Sequence, residues 1–130
     1  MPRVVEWIEP PQMDTGAPSP AIERSDDWLV VAYICRGEQS AVVRFDGVTW
    51  VHFGSPNDEG LWEHPFYGVG LGHYAFWEVL DSPRIPMGSS QRHWIATFHD
   101  ETLEIVGTAA TVVARDVPGT ATDQIARENA

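Results

Sequence analysis

Ten prolines and eleven glycines fall in 130 residues, so a helix breaker arrives about every six positions and long helices are ruled out. What remains are apolar runs of strand length. Residues 28–35, WLVVAYIC, are apolar throughout, the mark of a central strand covered on both faces. Residues 41–45 and 48–53 flank Asp46-Gly47, whose tolerance of positive φ predicts a two-residue hairpin. Residues 4–8, 73–80, 93–99 and 102–114 supply the other strands, the last two meeting at Asp100-Glu101. The prediction is a mainly β, single-domain antiparallel barrel or sandwich of six to seven strands. It has an N-terminal strand and proline-rich arm (1–27), a β core (28–115) and a tail (116–130) with a short helix over 123–128. A long loop spans 54–72, and its load of Leu61, Trp62, Phe66, Tyr67 and Leu71 predicts that it packs down as a lid.

Hydrophobic residues make up 43% and charged residues 21% of the chain, a globular balance for one domain. The formal charge is -11, and all eight basic residues are arginine. No window carries the basic stripe that phosphates or an anionic membrane demand, so neither nucleic acid nor membrane is an expected partner. The opening, MPRVVEWIEPPQ, lacks the apolar run of a secretory signal. Cys35 has no partner for an internal disulfide. Together these predict a cytoplasmic protein, with Cys35 read as a small buried residue rather than a nucleophile. Phosphate loops, dinucleotide fingerprints and a Gly-x-Ser-x-Gly elbow are missing, and no cofactor is expected.

Strand parity sorts the side chains. The Asp46-Gly47 hairpin predicts a core face of Ala41, Val43, Phe45, Val48, Trp50 and His52, with His52 either a bonded core residue or a ligand-binding group beside the loop. With Asp100-Glu101 as the second turn, Phe98 faces Leu103 and Thr97 faces Glu104. The polar side then carries His93, His99, Thr102 and Glu104. That side is either the wet face of a half-buried hairpin or a cavity wall on which His99 and Glu104 form an acid–base pair. Because the turn lacks glycine its register is not fixed, and a one-residue slip exchanges the faces. Glu78, sharing a face with Tyr74 and Phe76, is either an interior general base or an outward edge carboxylate. The five histidines, 52, 64, 73, 93 and 99, show neither His-x-His nor His-x-x-x-His spacing, and no metal is expected.

The segments SPNDEGLWEHPFYGVGL, DSPRI and HWIATFHDETLEIV carry the patterns Pro-Asn-Asp-Glu, His-Pro-x-Tyr-Gly and Thr-Phe-His-Asp-x-Thr-x-Glu. In these the chain resembles a group of small bacterial proteins with no established activity. The resemblance transfers no catalytic role, but it directs attention to His64, Pro65, Tyr67, His99, Asp100, Thr102 and Glu104.

Three readings follow. In the first, the loop closes over a small-molecule pocket, as in a binding protein or a cofactor-independent enzyme. His99, Glu104 and Glu78 are its catalytic candidates; His64, Tyr67, Trp62, His52, Asp100 and Thr102 are its binding candidates. In the second, the aromatic surplus forms a protein interface, and the arm's strand pairs with a neighbouring subunit in a homodimer. The third is a structural domain without a ligand.

Overall fold

The computed structural model describes residues 1–16, 19–37 and 39–117. Nine strands run in chain order: β1 Arg3–Glu6, β2 Ala21–Arg24, β3 Trp28–Cys35, β4 Gln39–Asp46, β5 Trp50–Gly54, β6 Phe76–Leu80, β7 Arg92–Thr97, β8 Thr102–Gly107 and β9 Ala109–Val117. One sheet has the order β1-β6-β7-β8-β5 and the other β2-β3-β4-β9, with antiparallel pairing throughout. The fold is a sandwich rather than a barrel. Two strands exceed the sequence expectation: β2 is too short and half-polar to leave a periodic signal, and residues 102–114 split into β8 and β9. The expected C-terminal helix lies outside the described residues.

Alternate residues of both sheets meet in the core. Leu29, Val31, Tyr33, Val43 and Phe45 from one sheet pack on Phe76, Trp94, Ala96, Leu103 and Ile105 from the other. Phe45 and Trp94 stand 5.4 Å apart between ring centroids, and the buried Tyr33 hydroxyl donates to the Pro11 carbonyl at 2.7 Å, so the ring's polar tip is satisfied.

The Asp46-Gly47 hairpin does not form. β4 pairs with β3 and β9, whereas β5 pairs with β8 in the opposite sheet. Asp46-Gly47 is a corner where the chain leaves one sheet for the other, and Gly107-Thr108 makes the same passage beside it. The Thr108 N–H donates to the Asp46 carbonyl at 2.9 Å. Gly47 has φ +62°, and a Cβ there would lie 2.2 Å from Thr108 Oγ1; one on Gly107 would lie 2.8 Å from the Asp46 oxygen. Glycine permits both the backbone conformation and the close approach. The corner also changes parity. Val48 and Val51 face the core, while Trp50 and His52, expected inside, pair across from Val106 and Glu104 on the outer face.

β1 pairs with β6 of its own chain and forms one edge of its sheet, placing Val4 on the same outer face as Val79 and Ile95. That face is roofed by residues 55–75, which include two short 3-10 turns, Leu61–Glu63 and Tyr67–Val69. Leu61 and Leu71 are buried against Val4, Val79 and Ile95, with Phe66, Val69 and Trp77 packed around them. The Thr102 hydroxyl donates to the Pro56 carbonyl at 2.8 Å and ties down the start of the cover. Among the described residues, no helix is long and apolar enough to cross a membrane.

Candidate functional site

Beneath the edge of this cover lies Glu104, on the outer face of β8, with a side chain only 11% exposed. Two histidines hold it. His93, fully buried on β7, approaches Oε1 through Nε2 at 2.9 Å, and His64 reaches down from the cover to Oε2 through Nε2 at 2.8 Å. The far nitrogen of His64 fixes its proton. His64 Nδ1 accepts the Phe66 N–H at 3.0 Å, so the His64 proton sits on Nε2 and is donated to Glu104. His93 Nδ1 lies 2.8 Å from Ser82 Oγ, which itself accepts the Arg84 N–H at 3.1 Å. Because the ionised Glu104 carboxylate can only accept, the Nε2–H of His93 points to it as well. Two Nε2–H donors thus converge on one carboxylate, one on each oxygen.

That arrangement decides the charge. Burial pushes the Glu104 pKa up, but hydrogen bonds from His64 and His93, with their electrostatic attraction, outweigh it and hold the value at about 2. A carboxylate this acidic is a poor proton acceptor near neutral pH. It is instead a fixed anion and hydrogen-bond acceptor. Two histidines and a carboxylate also form a familiar metal-binding set. Here His64 Nδ1 is occupied by a backbone donor, so its Nε2 carries a proton and offers no lone pair to a cation. Among the described residues, no group of three or more His, Cys, Asp or Glu is arranged to hold a metal. Ser82, His93 and Glu104 equally resemble a nucleophile, base and orienting acid. The local donors that would stabilise an oxyanion are spent: residue 83 is proline, the Arg84 N–H bonds Ser82 Oγ, and the Ile85 N–H bonds the Ser82 carbonyl. Ser82 serves to orient His93.

Glu104 also lines a cavity of about 540 Å³, a usual size for a small-molecule site. Pro56, Pro65, Pro83 and Phe66 make its apolar walls, and His64, Glu63 and Arg84 supply the remaining charged and polar side chains apart from Ser55.

The sequence candidates distribute unevenly around this cavity. Glu104 and His64 line it. His99 is not paired with Glu104; it is carried out by the loop after β7, where Nδ1 lies 2.8 Å from Asp100 Oδ1 and Nε2 lies 3.9 Å from Asp58. The Asp100 hydrogen bond, then the Asp58 charge, raise its pKa. Tyr74 donates its hydroxyl to the same Asp58. Glu78 sits on the other face of the sheet in a two-pronged pair with Arg92, at 2.7 and 2.6 Å. Trp62 and Tyr67 point to solvent, 65% and 39% exposed. His52 bonds the Ser55 carbonyl at 2.8 Å, Asp100 bonds His99, and Thr102 anchors the cover. Sequence reasoning missed His93, Ser82, Phe66 and Arg84 as members of the site. For His93 a signal existed, its shared parity with Glu104; for Ser82 and Arg84, in an aperiodic turn, there was none.

Fold and site together define an all-β sandwich carrying a carboxylate-floored pocket on one outer face. No family model, curated protein or solved structure matches the chain.

Proposed function

We propose that this protein binds a small molecule whose apolar body fills the cavity and whose hydrogen-bond donor, most favourably an ammonium group, meets Glu104. One observation carries the reading: a carboxylate, held by hydrogen bonds from two histidines, stands at the floor of an otherwise largely apolar pocket. A buried anion with unused lone pairs gains most from a donor that replaces lost water. The low Glu104 pKa supports binding rather than proton-transfer catalysis as its role.

The test is a heteronuclear NMR titration with 2-phenylethylamine. Binding should shift the amides of Phe66 and Arg84, and Glu104→Gln should weaken it about tenfold, the loss expected for one charge-assisted hydrogen bond. Ser55→Trp, at an exposed wall position, should plug the cavity and abolish the shifts without touching the His64–Glu104–His93 bonds. Shifts that persist in Ser55→Trp, or that map to the exposed Trp62 and Tyr67 instead, would refute the pocket.

A further inference from the structure

The ligand class can be narrowed further, in an inference that rests on the pocket reading above. Arg84 stands in the wall of the cavity that Glu104 floors. Its guanidinium carbon lies 3.6 Å from the centroid of the Trp50 ring, and this cation–π contact holds it in place. Arg44 and Arg92 are matched by Asp46 and Glu78, but among the described residues no carboxylate pairs with Arg84. A positioned guanidinium without a counter-ion is a ready partner for a carboxylate, whose two oxygens match its fork of donors. The cavity thus presents two charges of opposite sign, an anion on the floor and a cation in the wall, with Phe66 and three prolines between and around them.

Glu63 adds a second carboxylate to the lining, so the cavity's own charge is net negative and a dianionic ligand is disfavoured. The whole chain, at -11, repels anions further. A ligand that satisfies both Arg84 and Glu104 must carry its own cation as well as its anion. We propose that the pocket takes an amino carboxylate with an apolar body: the ammonium bonds Glu104, the carboxylate bonds Arg84, and the hydrocarbon rests on Phe66 and the proline walls.

The experiment is calorimetric titration of the folded protein with four probes. Phenylalanine and 4-(aminomethyl)benzoate carry both charges at different separations, 2-phenylethylamine carries the cation only, and 3-phenylpropionate the anion only. One of the two zwitterions should bind about tenfold more tightly than the amine, and the anion most weakly, since each fully formed charged hydrogen bond is worth about that factor. In Arg84→Gln the zwitterion's advantage over the amine should disappear. Arg84 is exposed, so this variant keeps the fold and the comparison stays interpretable even if Glu104→Gln unfolds. An amine that binds as tightly as both zwitterions, or an advantage that survives Arg84→Gln, overturns the amino-carboxylate assignment while the pocket reading stands. Failure of all four probes to bind overturns both.

Discussion

At the scale of single residues, the molecule's most consequential device is the pair of histidines that keeps Glu104 ionised while it is buried. The ordinary value for a glutamate here is 4.5, and in the folded chain it is about 2. A folded pKa lying below the unfolded one means that the native state binds its proton more weakly. The stabilisation is therefore complete above about pH 4.5 and is lost as the pH falls through about 2. A shift of this size corresponds to roughly 3 kcal/mol. Glu104→Gln removes the titration and replaces an acceptor with an amide, which can satisfy only one of the two converging N–H donors. Denaturant unfolding should show wild type more stable than Glu104→Gln by roughly 3 kcal/mol near neutral pH, the gap closing as the pH drops from about 5 to about 2. A gap that stays constant over that range would mean the carboxylate's charge contributes nothing to folding.

Among elements, the corner linking the sheets sets which side chains reach the pocket. Had Asp46-Gly47 closed a hairpin, Trp50 would lie in the core and no ring would stand beneath Arg84. The sequence pattern could not separate the two outcomes, because an Asp-Gly pair suits a tight hairpin and a glycine corner equally; only the partner strands, β9 and β8, decide. At the other turn, the faces were legible and the register was not. Parity placed Trp94, Ala96, Leu103 and Ile105 inside and His93 and Glu104 outside, as found. The turn, however, is a wider loop closed by Phe98 N–H to the Glu101 carbonyl at 3.0 Å, so Ile95, not Thr97, faces Glu104. That two-residue shift brings His93 diagonally beside Glu104 and leaves His99 in the loop. His64 stood out through its His-Pro-x-Tyr-Gly setting, but its partner did not, since aperiodic chain gives no rule for where a loop side chain lands. The corner itself is testable. Gly37, at φ +83°, has nothing within 4 Å of an added Cβ, whereas Gly47 would meet Thr108. Gly37→Ala should cost about 1 kcal/mol of backbone strain, and Gly47→Ala about 3 kcal/mol because overlap is added. Thr108→Ala in the Gly47→Ala background should recover part of the difference; equal costs at the two glycines would show that the corner is not tightly packed.

For the molecule as a whole, the site lies in the thinner of two packed layers. The sheets share one large core, but the cover over the outer face has its own small cluster of Val4, Leu61, Leu71, Val79 and Ile95. Polar ties fasten it along its length, among them His52 to the Ser55 carbonyl, Thr102 to Pro56, the Asp58 N–H to the His99 carbonyl at 3.0 Å, His64 to Glu104 and the Thr97 N–H to the Ala75 carbonyl. A layer with little apolar area of its own opens at lower free energy than the global core. Opening would uncover the pocket and break the His64–Glu104 bond together, coupling access to the ionised carboxylate. Leu61, only 1% exposed, is the cover's central anchor, and Leu61→Ala should destabilise the cover by about 2–5 kcal/mol. Native-state hydrogen exchange should then show faster exchange of the Asp58 and Phe66 amides while those of β3 and β4 keep their protection. Val31→Ala, in the core between the sheets, should instead lower protection everywhere. If Leu61→Ala accelerates β3 and β4 by the same factor as Phe66, cover and sandwich unfold as one unit, and ligand entry must proceed without opening the roof.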